Sequence, residues 1–288
     1  MPEPDVDEGP LLEALAARGV DARLVAWDDP REDWDASVPT VLRSTWDYLH
    51  RVEAFLAWIE RVARASPLWN PAEIVRWTVH KFYLRELAER GVPVVPTACL
   101  ARGSRDTLAE LRRARGWDAV VVKPAVSAAS FGTLLLPAGA SAEQLARAEA
   151  HLAGLVATRD VLVQRYAPAV ETSGERALVW IDGELTHSVR KNPRFSGEDE
   201  SVSAALPIAA DERELALSLL APLASSLLYA RVDLVRDETG RPRLMELELI
   251  EPSLFLVQHP PALERLVGAL VKRLDSPAPE GARRSGPA

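Results

Sequence analysis

The stretch RLMELELIEPS, residues 243–253, decides how the chain is read. Leu244, Met245, Leu247, Leu249 and Ile250 give it the apolarity of a buried strand, yet Glu246, Glu248 and Glu251 are interleaved among them. Strand side chains alternate between faces, so Glu246 and Glu248 point the same way, and two like charges on one face need a neutralising partner. Just upstream, ARVDLVRDETGRPRLMELELIE, residues 230–251, reads as two strands around a turn at Asp237–Gly240. With the turn centred near residues 239–240, Asp233 faces Glu246 at a cross-strand distance of ~4.5–5.5 Å. Asp233, Glu246 and Glu248 then share one face with no cationic side chain expected beside them. Three such carboxylates suit a hard metal with oxygen ligands, Mg²⁺ or Mn²⁺. The competing reading is a solvated outer sheet face, against which a row of one sign without interleaved lysine weighs. Zinc is disfavoured, because no cysteine lies here and His259 is the nearest histidine.

Working outward, RALVWIDGELTHSVRK (176–191) is a second hairpin around Asp182-Gly183. VLVQRYAP (161–168) and DAVVVKPAV (118–126) read as strands. SAEQLARAEAHLAGLVA (141–157) reads as a helix opened by Ser141, and TLAELRRARG (107–116) as a short helix. EIVRWTVHKFYLRELAERG (73–91) is expected to be one helix stopped by Gly91. Before it, helical spacing at 10–19 and 51–65 alternates with extended VDARLVAW (20–27) and VPTVLRST (38–45), which suggests a small parallel-sheet lobe of about the first 70 residues. A Rossmann-like lobe ordinarily opens on a strand, whereas this chain opens on a helix. Residues 276–288, rich in Pro, Gly, Ser and Ala, are expected to be disordered.

At 288 residues the chain has room for two or three lobes. A net charge of −8 argues against general nucleic-acid binding and against a polybasic membrane patch. No run approaches the ~18 apolar residues of a membrane span, and the acidic N-terminus lacks the pattern of a signal peptide. The single cysteine, Cys99, allows no internal disulfide, which fits a cytoplasmic protein. A buried inert thiol is the simpler reading of Cys99 than a nucleophile.

Carboxylates that hold Mg²⁺ in small numbers usually share it with substrate phosphates. No G-x-x-x-x-G-K-[ST] and no G-x-G-x-x-G after a strand is present. Instead there are two isolated lysines. Lys81 lies in TVHKFYL, and Lys123 ends the apolar strand DAVVVKP, where it serves a ligand or snorkels from an edge. After Lys123 comes AVSAASFGT (125–133), whose Ser127, Ser130, Gly132 and Thr133 are small enough for backbone N–H groups to approach an anion.

A helical lysine, V-V-K-P with a small-residue loop, VQRY, and hairpins bearing an Asp and E-x-E, in that order over roughly residues 70–275, resemble the ATP-grasp superfamily. RSTWDY (43–48) and RLMELELIEPSLFL (243–256) are similar in particular to the glutathione-synthetase-like branch that includes the cyclo-ligases of cycloserine biosynthesis. The resemblance implies an α/β (α+β) ATP-grasp fold: an N-terminal Rossmann-like lobe over residues 1–75 and two ATP-clasping lobes over 76–160 and 161–275. It implies Lys81 and Lys123 as the ATP-phosphate lysines, and Ser127–Thr133 as a flap over the phosphates. Gln164, Arg165 and Tyr166 would form the adenine hinge, and Glu171 would meet the ribose. Arg190, Lys191 and Arg176 are the candidates for stabilising the transferred phosphoryl, and Asp233, Glu246 and Glu248 for binding metal. Glu248 stands where the family commonly has Asn, and the flap has one glycine where family loops are often glycine-rich.

The implied activity is ATP- and Mg²⁺-dependent (or Mn²⁺-dependent) joining of a carboxylate to an amine through an acylphosphate, on a small amino-acid or peptide-like substrate, cyclisation included. A nucleotide-binding module without turnover and a kinase on the same fold are the alternatives. The partners are then small molecules, not nucleic acid or membrane, and a homodimer is common in the family. Arg43, Ser44, Thr45 and Asp47, after a predicted strand, either bind the substrate or fix the lobe interface, with Trp46 and Tyr48 as core. NPRFSGEDESVSAALP (192–207) sits where a loop over the acceptor site would fall, although a solvated loop reads as well.

Overall fold

The structure is a computed structural model and describes residues 5–128, 130–191 and 201–275. The expected tail at 276–288, residues 192–200 of the acceptor loop and residue 129 of the flap lie outside the described residues. The strands form three sheets in chain order. In the first, β1 (Thr40–Val41) runs parallel to β2 (Leu68–Trp69). The second orders β3 (Thr97–Leu100), β4 (Val120–Pro124), β5 (Leu134–Leu136) and β6 (Val161–Arg165) as β3-β6-β4-β5. The third orders β7 (Glu175–Ile181), β8 (Glu184–Lys191), β9 (Tyr229–Arg236) and β10 (Pro242–Glu248) as β10-β9-β7-β8.

Two expectations change at the N-terminal end. VDARLVAW forms no strand. Leu24 is 50 % exposed, so the alternation has no continuous apolar face to bury; only Trp27 at its end is fully buried, while Val20 and Ala22 pack partly buried against the third sheet's core. The parallel sheet shrinks to one short pair, and the lobe is held instead by an aromatic cluster of Trp27, Phe55 and Trp58 packed with Ile59 and Val62 from the helix Val52–Ala65. In the second sheet β4 pairs antiparallel with both β5 and β6. The Ser127–Thr133 loop is therefore the connection between β4 and β5.

The helix expected over residues 73–91 is two helices, Ala72–Thr78 and Tyr83–Glu89, with Lys81 in the break. The Lys81 N–H donates to the Ala125 carbonyl at 2.8 Å instead of staying in a helical ladder. The phenol of Tyr83 then accepts from Leu247 N–H at 2.9 Å and donates to the Leu247 carbonyl at 3.0 Å, which fixes this break beside β10.

Helix ends follow the sequence signals. Thr107 with Glu110, and Ser141 with Gln144, form capping boxes, and Gly116 closes its helix in the left-handed region at φ 65°. In the β7–β8 hairpin both turn residues, Asp182 (φ 42°) and Gly183 (φ 93°), take positive φ, as a tight two-residue turn needs.

The third sheet buries both faces. Leu178, Trp180, Val232, Leu234 and Leu247 pack with Leu215 and Leu219 of the helix Ala210–Leu220. Ala177, Val179, Ile181 and Val189 pack with the helix Pro260–Asp275 and with Leu11 and Leu15 of the helix Glu8–Ala17. By strand alternation this second face continues at its other end into Glu175, Lys191, Arg231, Asp233 and Glu248. That polar end faces the second sheet across a cleft.

Candidate active site

The β9–β10 register answers the question the sequence raised. Glu246 pairs with Asp233, Leu247 with Val232 and Glu248 with Arg231. The hairpin starts on a different register, with Leu244 opposite Leu234, and a bulge at Met245 shifts it by one residue. Without that extra residue Met245, not Glu246, would oppose Asp233.

Three predicted residues meet in the middle of the cleft. Lys81 Nζ lies 2.9 Å from Glu246 Oε1 and donates to the Ser127 carbonyl at 2.6 Å. Lys123 Nζ lies 3.7 Å from Glu246 Oε2. Burial drives the Glu246 carboxyl up, but the two lysines outweigh it and hold the group below its ordinary value. Burial likewise pulls Lys81 down, and Glu246 more than reverses that.

The expectation that no cation stands beside the carboxylates is corrected. Arg231 is on the same strand face as Asp233, two residues away, and is buried. Its Nε and Nη2 donate to the two Asp233 oxygens, each at 2.9 Å, and Nη2 also donates to Glu248. Lys191 Nζ donates to Asp233 Oδ2 at 2.8 Å and to Glu175 Oε1 at 2.6 Å. Burial alone would raise Asp233, yet Arg231 and Lys191 hold it well below the usual carboxylate range. Glu248 is pushed up to about 7 by burial, against the pull of Arg231. Glu175 is pushed up to about 7 by burial, against the pull of Lys191. Among the described residues no group of three or more His, Cys, Asp or Glu side chains is arranged to hold a metal ion.

The cleft still fits a bound divalent cation by the chemistry of its donors. Glu246 and Glu248 project from one strand face into it with oxygen ligands only. Asp233 is on the same sheet face, but it is 1 % exposed, enclosed by Arg231 and Lys191, and does not line the cleft.

Other predicted residues divide. Ser127, Ser130, Thr133, Gln164, Arg165 and Tyr166 line the cleft with Lys81, Lys123 and Lys191. Gly132 has φ 68°, and a Cβ there would sit 2.9 Å from Pro124 Cγ, so the flap's one glycine is needed to pack against the end of β4. The Gln164 amide donates to Thr97 Oγ1 at 3.1 Å, Arg165 reaches Glu238 at 3.2 Å, and the Tyr166 hydroxyl donates to Glu171 at 2.6 Å.

Arg190 and Arg176 are on the sheet face opposite Lys191, which corrects their expected role at the phosphoryl. Arg190 is exposed and packs over Gly174, while Arg176 donates to Ser188 Oγ at 2.6 Å and to the Pro207 carbonyl at 2.7 Å. Of the two readings of the 43–47 segment, substrate binding and lobe interface, its internal contacts fit the interface. Arg43 is spent on Asp5 at 3.0 Å and the Pro252 carbonyl at 2.7 Å. Ser44 donates to Asp5 at 2.6 Å, Thr45 to the Arg43 carbonyl at 3.0 Å, and Asp47 accepts from Trp27 Nε1 at 3.0 Å. From RSTWDY only Trp46 and Tyr48 reach the cleft wall. His80 pairs with Asp160 at 2.9 Å.

Of the charged cleft residues, Glu175 and Arg231 escaped the sequence reading, and Glu251 was noticed there without a role. Arg231 was legible, because i, i+2 on a strand shares a face.

Two sheets clasping a cleft that carries two buried lysines over a strand-borne Glu-x-Glu define an ATP-grasp ligase. The solved structure of the ATP-grasp ligase PsnB, complexed with minimal precursor, Mg and ADP, superposes with a TM-score of 0.61, covering 92 % of this chain and 94 % of that one at 18 % identity. A family model described as the N-terminal domain of D-cycloserine synthetase DcsG matches residues 1–70. The cycloserine biosynthesis protein DcsG of Streptomyces lavendulae is 35 % identical over 94 % of both chains. The crystal structure of D-cycloserine synthetase DcsG gives a TM-score of 0.83, covering 94 % of this chain and 95 % of that one. The chain belongs to the DcsG family of ATP-grasp ligases. No helix among the described residues is long and apolar enough to cross a membrane.

Proposed function

We propose that the protein is an ATP- and Mg²⁺-dependent ligase that activates a carboxylate as an acylphosphate and passes it to an amine, on a small amino-acid-like substrate. The names of its relatives support closure within one molecule, as in the making of cycloserine. The observation that carries the reading is the meeting of Lys81 and Lys123 on Glu246, between the flap and β10. Lys81 and Lys123 already face the Glu246 carboxylate, and Lys191 and Arg231 the Asp233 carboxylate. A nucleotide triphosphate adds more negative charge, so the site calls for a divalent cation.

In this reading Lys81 and Lys123 exchange Glu246 for ATP phosphates. Glu246 and Glu248 hold Mg²⁺, which supplies charge neutralisation at the phosphates when bound. Asp233 anchors Arg231 and Lys191, which face the transferred group and stabilise its charge. The adenine lies at the hinge of Gln164, Arg165 and Tyr166, beside Val121, Val170 and Met245. A substrate carboxylate oxygen attacks the γ-phosphorus, the bond to ADP breaks, and an acylphosphate forms. The amine lone pair then attacks the acyl carbon, phosphate leaves, and the amine loses its proton. The protein positions and neutralises, and supplies no covalent nucleophile.

The test is hydroxylamine trapping. With Mg²⁺-ATP and an amino-acid panel that includes O-substituted serines, we expect substrate-dependent ADP and an acyl hydroxamate. ADP formation with no hydroxamate from any substrate would refute the acylphosphate.

A further inference from the structure

We infer that Glu251, together with the Tyr48 hydroxyl, is the receptor for a primary ammonium group on the substrate. This deepens the ligase reading above and rests on it. Every other carboxylate of the cleft is matched. Glu175 has Lys191 at 2.6 Å, Glu246 has Lys81 at 2.9 Å, Asp233 has Lys191 at 2.8 Å, and Glu248 has Arg231. Glu251 lines the same cleft and is 8 % exposed, and among the described residues it has no cationic side chain within 4.0 Å.

Nor can the side chain withdraw, because its backbone is pinned on both sides. Trp46 Nε1 donates to the Glu251 carbonyl at 3.1 Å, Tyr229 Oη donates to the Ile250 carbonyl at 2.8 Å, and Arg43 donates to the Pro252 carbonyl at 2.7 Å. The cost of holding it there shows in its titration: burial, then the neighbouring Glu248, push Glu251 up to about 8. A buried acid kept in place without a counter-charge is a site waiting for one.

The chemistry of the pocket selects the ligand. Tyr48 lines the cleft together with Glu251, and its ring stacks on Phe55 at 4.7 Å, which fixes its hydroxyl as a second polar group of the pocket. Trp46 and Ile250 supply the walls. One carboxylate and one phenol oxygen fit the compact charge and three donors of an ammonium. They offer too few oxygens for a divalent cation. Glu251 also follows Glu246 and Glu248 along the chain and is within electrostatic reach of Lys81. An ammonium there leaves the substrate's carboxyl toward the phosphate lysines.

The test uses the full chain with ADP bound, titrated calorimetrically at pH 7 with four amines: D-cycloserine, D-serine, L-serine and D-serine amide. Their N-acetyl forms, which keep the shape but lose the charge, are the controls. At least one amine should bind while its N-acetyl form does not. Glu251→Gln should weaken it on the order of 10–100-fold, the loss expected of a charge-assisted contact, and Tyr48→Phe should weaken it less. Unchanged ADP affinity in both variants reports an intact fold. Equal binding of an amine and its N-acetyl form, equal binding by wild type and Glu251→Gln, or no binding of any amine would overturn the assignment. The two readings fail separately. ADP formed from a substrate without an amino group would remove the role of Glu251 and keep the ligase. Amine binding lost in Glu251→Gln, with no ADP from any substrate, would keep the site and remove the ligase.

Discussion

Lys81 and Arg43 are both buried cations held by carboxylates, and both come from the part of the chain before the second sheet. Their partners differ in kind. Arg43 is closed in by Asp5 at 3.0 Å, by Asp7 at 3.9 Å and by a backbone carbonyl, and does not itself line the cleft. Lys81 shares Glu246 with Lys123 on the wall of an open cleft. The first arrangement is a fastener between the N-terminal lobe and the 250–257 segment. The second is a balanced pair whose members can each take a new partner of opposite charge. Charge and burial alone do not separate a structural ion pair from a working one; access does.

That contrast can be broken in three places. The largest stability effect is expected at Arg43→Ala, which leaves Asp5 buried without its cation. A loss of about 3 kcal/mol in chemical denaturation is expected, with ATP affinity unchanged in the folded fraction. A variant of wild-type stability with impaired turnover would return Arg43 to the substrate site.

The next effect is a pH dependence. Glu175 and Glu248, each pushed up to about 7, and Glu251, pushed up to about 8, have folded values above their unfolded ones. Their contribution is complete below the unfolded value and is lost as pH rises through 7 to 8. His187 has the opposite sign. Burial, then His259, pull it down to about 4, so its contribution is present above pH ~6.5 and is lost as pH falls toward 4. From these groups the nucleotide-free protein should therefore lose stability steadily as pH rises from 6 to 8.5, by at least ~1–2 kcal/mol. Urea denaturation across that range, with wild type beside Glu251→Gln, measures it. A flat profile in the wild type would contradict the assignment of buried, under-compensated carboxyls.

The smallest effect is expected at Arg190→Ala. Its side chain is exposed and faces away from the cleft, so stability should change by less than about 0.5 kcal/mol, with turnover near wild type. A large loss of turnover would show that the sheet face, and with it the cleft, had been misassigned.

Much of this was legible in the chain because it depends on local rules. Turn residues placed the β9–β10 and β7–β8 hairpins, and a capping residue, Ser141, placed one helix start. The interleaved glutamates marked one strand face. Even the Asp233–Glu246 pairing was expected, although the real hairpin reaches it by a different route. Its turn sets the neighbouring register, and the bulge at Met245 restores the pair. No local signal announces a bulge, because it answers to packing across the sheet.

What stayed hidden was tertiary. The break at Lys81 depends on the Ala125 carbonyl, more than forty positions along the chain. The burial of Arg43 depends on Asp5 and Pro252 from opposite ends of the chain. VDARLVAW has the period of a strand but no partner to pair with, and period alone does not supply one. Arg231 is the instructive miss. Attention to the acids of ARVDLVR passed over the base two residues earlier on the same face, and with it the cation that neutralises Asp233 and Glu248.

The central claim is that the carboxylate of Glu246 alternates between the two cleft lysines and the Mg²⁺ that accompanies ATP. Its most direct test is ADP formation from Mg²⁺-ATP over the amino-acid panel, for wild type beside Glu246→Gln. Substrate-dependent ADP from the wild type, reduced at least ~100-fold in the folded variant, is the predicted result. Equal rates from the two proteins would contradict it.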